Sequence, residues 1–125
     1  MAYRVILDTS AVIELLNRND QRVLDQIEKE GSEEVFISGI TKFELEIGGD
    51  GDVRIGDIPC LPIGCEAFSL AAKIYSELCT KGKEPSLKDC FIAACAIIED
   101  GVLITYDRDF EIFLEYGLNA KILKK

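Results

Sequence analysis

Asp8, Glu44, Asp89 and Asp107 are the side chains of this 125-residue chain whose type and placement could do chemistry, and Asp109 follows two residues after the last of them. Carboxylates about 4 Å apart repel by roughly 4 kcal/mol at an effective dielectric near 20, so four of them in one pocket require cations. The chain has no histidine, which removes imidazole acid–base pairs. Donors that are all oxygen select hard ions that keep some of their water, Mg²⁺ or Mn²⁺ over zinc. A metal-activated water would then be the nucleophile. Each acid also has an ordinary role. Asp8 and Asp107 suit helix N-caps, Ser86-Leu87-Lys88-Asp89 reads as a capping box, and Glu44 suits a solvated helix boundary.

The elements that must position these residues alternate in type. Arg4 to Leu7 reads as a short buried strand ending at Asp8-Thr9-Ser10, with a helix from Ser10 through Leu16. A second helix spans Asp20 to Glu30 and stops at Gly31; Glu34 to Ser38 is the next strand. Ile40, Phe43 and Ile47 recur at helical spacing, so residues 40 to 47 form a helix closed by Gly48-Gly49, with Glu44 beside that apolar seam and Glu46 turned away. Residues 48 to 64 read as a loop with one short strand around Ile58 to Ile63. Glu66 to Thr80 is an amphipathic helix resting on Phe68, Ala71, Ala72, Tyr75 and Leu78. Pro85-Ser86 opens a helix whose stretch from Cys90 to Ile98 is apolar on every side, which places it at the centre of the fold. Val102 to Tyr106 is a strand, Asp107 to Tyr116 a helix, and Lys121 to Leu123 a last strand. This order predicts one α/β sandwich domain over residues 1 to 125 around a mainly parallel sheet, with Asp8 and Asp107 at strand ends on the edge where such sheets bind ligands.

Four contexts occur in order along the chain: Leu7-Asp8-Thr9-Ser10-Ala11, Thr41-Lys42-Phe43-Glu44-Leu45, Lys88-Asp89-Cys90-Phe91-Ile92-Ala93-Ala94-Cys95-Ala96, and Leu103-Ile104-Thr105-Tyr106-Asp107-Arg108-Asp109-Phe110. Together they resemble the PIN-domain family, whose small single-domain ribonucleases include the VapC-type toxins of toxin–antitoxin pairs. The resemblance covers essentially the whole chain. It implies a PIN-like α/β/α sandwich and cleavage of RNA by Mg²⁺ or Mn²⁺ held by Asp8, Glu44, Asp89 and Asp107, with Glu44 entering either directly or through water. Ser10 and Thr105 match hydroxyl positions that support the site, and Asp109 an acid that accompanies the fourth. The same resemblance implies a homodimer and a small, basic antitoxin protein as partner. The short Gly-rich connection after Glu44 departs from many relatives.

Charge limits how RNA would be held. The net charge is −9, from 14 basic and 23 acidic residues, the wrong sign for a general nucleic-acid binder, so phosphate contacts must be local. Lys73, Lys81, Lys83, Lys88, Arg108, Lys121, Lys124 and Lys125 are the candidates, and a mixed solvated surface accounts for the same lysines. No apolar run is long enough for a bilayer span or a signal-peptide core, which makes a cytoplasmic protein the expectation. Five cysteines with no Cys-x-x-Cys pair read as buried free thiols, with a Cys60–Cys65 disulfide as the alternative in a hyperthermophile. Val12, Leu16, Val23 and Ile27 supply a core face and a margin for a partner. Two rival functions stand beside the nuclease: a phosphohydrolase using Asp8 as nucleophile, and a catalytically idle PIN scaffold. The first wants an acid two residues after Asp8, where Ser10 stands, and the second is supported by loss of acids, all four of which are present.

Overall fold

A computed structural model describes residues 4–18, 21–32, 34–48 and 58–125, with 17 and 18 by backbone alone. The expected helix start at Asp20, Gly49 and most of the loop from 48 to 64 lie outside those residues. Among the described residues five strands form one sheet, β1 Val5–Leu7, β2 Val35–Ser38, β3 Cys60–Leu61, β4 Val102–Thr105 and β5 Asn119–Ile122, in the order β3-β2-β1-β4-β5. Every pairing is parallel. β1 is central, with Val5 in register with Val35 on one side and Val102 on the other. Its three residues and all four of β4 are buried, as strands covered on both faces must be.

Alternation along β1 assigns the two layers. Val5 and Leu7 pack with Ala11 and Val12 of α1 (Thr9–Arg18) and Val23 of α2 (Gln21–Glu30). Ile6 points the other way, into α4 (Cys65–Thr80) and α5 (Leu87–Ile98). The α/β/α sandwich is therefore present. α5 carries the centre of the second layer, with Cys90 and Ile92 to Ala96 all buried, as its unbroken apolar run requires. Gly101 sits where a β-carbon would lie 2.9 Å from both the Arg4 carbonyl and Ile6 Cδ1, so the turn into β4 needs glycine's missing side chain.

Several local expectations give way to packing. Arg108–Tyr116 is a 3₁₀ helix, not an α-helix, with Phe110 and Phe113 buried on its three-residue repeat and Gly117 closing it at φ 96°. β5 begins at Asn119, two residues before the expected Lys121, because its pairing with β4 starts there, with Asn119 in register with Val102. On α3 (Gly39–Ile47) the buried residues are Thr41 and Leu45, while Phe43 and Ile47 are exposed. α4 buries Ala67, Ala71, Ile74 and Leu78, one step round from the expected stripe, and leaves Phe68 exposed. Of the cysteines only Cys90 and Cys95 are buried; Cys60, Cys65 and Cys79 are exposed, and all five are free thiols. Val12 and Val23 are consumed by the chain's own core, whereas Leu16 remains partly exposed. No helix among the described residues is long and apolar enough to cross a membrane.

Candidate metal centre

The strand order reverses between β1 and β4: the chain builds β2 and β3 on one side of β1, then crosses over to place β4 on the other. The crevice outside the carboxyl ends at such a reversal is where open α/β sheets hold ligands. Asp8 leaves β1 there, and Asp107 leaves β4. α5 starts at the same edge with Asp89 in its first turn, where Ser86 Oγ accepts from the Asp89 amide at 3.4 Å. The backbone of Asp89 thus fills the capping position read from the sequence, and its carboxylate remains for the crevice. Asp107 caps the 3₁₀ helix, its Oδ1 accepting from the Asp109 amide at 2.9 Å, and this turn brings the Asp109 carboxylate back beside it.

Carboxylate oxygens of Asp89, Asp107 and Asp109 all lie within 4.8 Å of one another. Burial, followed by the negative charges of Asp107, Asp109, Asp8 and Glu44, pushes the Asp89 carboxyl up to about 7. This donor set fits a hard divalent cation: it is all oxygen, it converges, and its shared charge is unfavourable until neutralised.

Asp8 stands behind that group and is better held than exposed. It is buried, and both oxygens accept hydrogen bonds, Oδ1 from Ser10 Oγ at 2.7 Å and the Ala11 amide at 2.9 Å, Oδ2 from Thr105 Oγ1 at 2.6 Å. Burial pushes its carboxyl up to about 6, although these three donors pull the other way. Thr105 Oγ1 in turn accepts from the Asp107 amide at 2.9 Å, and Ser10 Oγ from the Tyr106 amide at 3.1 Å, so two hydroxyls join the ends of β1 and β4. A carboxylate whose two oxygens are both occupied is poorly placed to attack phosphorus, which argues against Asp8 as a nucleophile.

Glu44 lies on the far flank. Its Oε1 accepts from Thr9 Oγ1 at 2.8 Å, and Lys88 Nζ stands 3.7 Å from its Oε2. Of the expected quartet, Asp89 and Asp107 converge and Asp109 joins them in the 4.8 Å group, while Asp8 and Glu44 lie close enough for their charges to act on Asp89. Thr9, which sits inside the first motif, and Lys88 are partners of Glu44 that residue spacing alone does not reveal. Of the candidate phosphate contacts, Lys81 pairs with Glu115 at 3.5 Å and Lys125 with Glu14 at 3.1 Å, while Lys83 and Arg108 border a groove shared with Asp89 and Asp109.

An all-parallel sheet with an acidic pocket at its strand-order reversal defines the molecule as an α/β protein built around one charged edge. Residues 5–113 match the PIN-domain family. The chain is 33% identical over 92 residues to Ribonuclease VapC3 of Methanocaldococcus jannaschii, a match covering 71% of this chain and 94% of that protein. Among solved structures it is similar to VapBC-1 of nontypeable Haemophilus influenzae, with a TM-score of 0.79 at 20% identity over 95% of this chain and 97% of the other. It is also similar to VapBC-5 of Mycobacterium tuberculosis, a member of the VapBC family of toxin–antitoxin systems, with a TM-score of 0.71 at 24% identity over 98% and 99%. These two likenesses concern the fold. The chain belongs to the PIN-domain family.

Proposed function

We propose that the chain is a metal-dependent endoribonuclease of the VapC type, acting in the cytoplasm as one domain over residues 1 to 125. The observation that carries this reading is the convergence of Asp89, Asp107 and Asp109 within 4.8 Å at the sheet's strand-order reversal. The likeness to a protein named as a ribonuclease supplies the substrate class. Asp89, Asp107 and Asp109 would hold Mg²⁺ or Mn²⁺, with Asp8 and Glu44 contributing charge and, on ion entry, further oxygen. When bound, the ion supplies an activated water for hydrolysis of the phosphodiester and offsets the charge that develops on the phosphate oxygens.

The chain's own residues do the rest. Ser10 and Thr105 fix Asp8 in one orientation, so its charge reaches the crevice from a rigid base. Thr9 holds Glu44 and leaves its second oxygen to Lys88. Lys88 places a cation beside Glu44, where it would meet an approaching phosphate. As a VapC-type toxin the chain would act as a homodimer and be covered by a small basic antitoxin; the fold shared with a toxin–antitoxin member and the net charge of −9 support that partnership.

The test is cleavage of structured and single-stranded RNA with mapped ends, with EDTA, Mg²⁺ or Mn²⁺, and with Asp107→Asn as control. Cleavage that requires the ion and disappears in the variant is expected. Cleavage that survives EDTA would sink the proposal.

A further inference from the structure

Beside the acidic group runs a groove of about 380 Å³, lined by the loop before α5 (Lys83, Glu84, Pro85) and by one wall of the 3₁₀ helix (Arg108, Ile112, Phe113). Asp89 and Asp109 also line it, so whatever fills the groove is continuous with whatever the three carboxylates hold. Its volume lies within the range of roughly 300–1,000 Å³ usual for small-molecule sites. We infer that this groove receives the nucleotide next to the scissile bond, with Lys83 and Arg108 binding its phosphate and Pro85 and Ile112 facing its base. The inference rests on the ribonuclease reading and deepens it.

Four features favour a nucleotide. First, the walls are preformed. α4 ends in a tight turn in which the Lys83 amide donates to the Leu78 carbonyl at 2.8 Å and the Gly82 amide to the Cys79 carbonyl at 3.0 Å, with Gly82 at φ 78°. Lys83 is thus presented by a fixed backbone, and Pro85 and the Ser86 cap continue it into α5. Second, Lys83 and Arg108 are exposed and both line the groove, in a chain whose net charge is −9. Among the described residues Arg108 pairs with Glu111 through Nε, at 2.9 Å, which leaves the outer edge of its guanidinium for a phosphate. Third, Glu111 pairs with Arg108, and Asp89 and Asp109 are the acids that would hold the cation, which leaves Glu84 as the remaining acid of the groove. Fourth, cationic and apolar groups occur on the same walls, which suits a phosphate joined to a base and suits a simple anion less well.

Lys83→Glu and Arg108→Gln, singly and together, test this. Each is measured by steady-state cleavage of fluorogenic oligoribonucleotides under Mn²⁺, first at full length and then shortened by one nucleotide at a time from either end. Melting temperature and Mn²⁺ affinity serve as controls that the fold and the acidic group are intact. The expected result is a KM raised about tenfold in the double variant with kcat within twofold. Each lost contact should also lower the salt slope of binding by about 0.7. The penalty should vanish for oligonucleotides too short on one flank to reach the groove. No cleavage by the unaltered chain with any divalent ion overturns the ribonuclease reading and this inference with it. Cleavage with KM and salt slope unchanged by the double variant overturns the groove alone, as does a penalty that persists however either end is shortened.

Discussion

Asp89→Asn should stabilise the metal-free protein while disabling it. Asparagine keeps the shape of the side chain and removes its charge. The Asp89 carboxyl titrates near 7 in the folded chain against 3.8 for an ordinary aspartate, so folding at neutral pH holds a charge that burial and four neighbouring acids oppose. The folded value is raised, and the sign follows: the penalty is absent below about pH 4, grows between about pH 4 and 7, and is constant above. At 1.36 kcal/mol per pKa unit the full gap corresponds to about 4 kcal/mol. Asp89 is only half-buried, and screening by water and salt reduces this to about 2 kcal/mol. For a chain of this length that is a rise in melting temperature of roughly 6–10 °C at pH 8, shrinking to a degree or two at pH 4.5. Scanning calorimetry in EDTA at the two pH values measures it. Saturating Mn²⁺ should then reverse the order, since a ligand at 100 times its Kd adds about 2.7 kcal/mol to a protein that binds it and little to one that does not. Equal melting of the two proteins at pH 8 in EDTA, or a less stable variant, would refute the reasoning.

Thr105→Val keeps the buried shape but removes the donor to Asp8 Oδ2 and the acceptor of the Asp107 amide; one buried and one part-buried polar atom lose a partner, and a loss of about 2 kcal/mol in a urea titration is expected. Gly101→Ala drives a methyl to 2.9 Å from the Arg4 carbonyl, a backbone atom that cannot swing aside, and should cost about 1–3 kcal/mol by thermal melting with the acidic residues untouched. Isothermal titration with Mn²⁺ should rank Asp109→Asn as more damaging than Glu44→Gln, because Asp109 shares the 4.8 Å group and Glu44 does not. The reverse order would return Glu44 to the metal and make Asp109 the accessory acid.

Much of this architecture is legible in the sequence where burial leaves no choice. The run Val5-Ile6-Leu7 ahead of Asp8 admits only a covered strand, and the unbroken apolar stretch of α5 admits only a central helix. Legibility fails where two packings share one pattern. Phe110 and Phe113 are three apart, a spacing that α and 3₁₀ helices both use, and the difference decides whether Asp109 folds back beside Asp107. On α3 the apolar spacing of Ile40, Phe43 and Ile47 suggested the inner face, but Thr41, whose hydroxyl lies 3.4 Å from that of Thr9, occupies it with Leu45. β5 is an edge strand with alternate residues exposed, so periodicity fixed its existence better than its ends.

The capping and functional readings of the acids, rivals when each residue is taken alone, prove to be one geometry. α1, α5 and the 3₁₀ helix begin at the same sheet edge, and Asp8, Asp89 and Asp107 each stand at or within the first turn of one. Amide donors and helix dipoles there favour negative charge by about 0.3–1 kcal/mol apiece, enough to make aspartate the natural residue at each position. They do not offset burial among like charges, since Asp8 still rises to about 6 and Asp89 to about 7. What local capping leaves uncompensated is a concentration of negative charge held rigidly at one point, and a divalent cation between the carboxylates is the species that removes it without dismantling the caps.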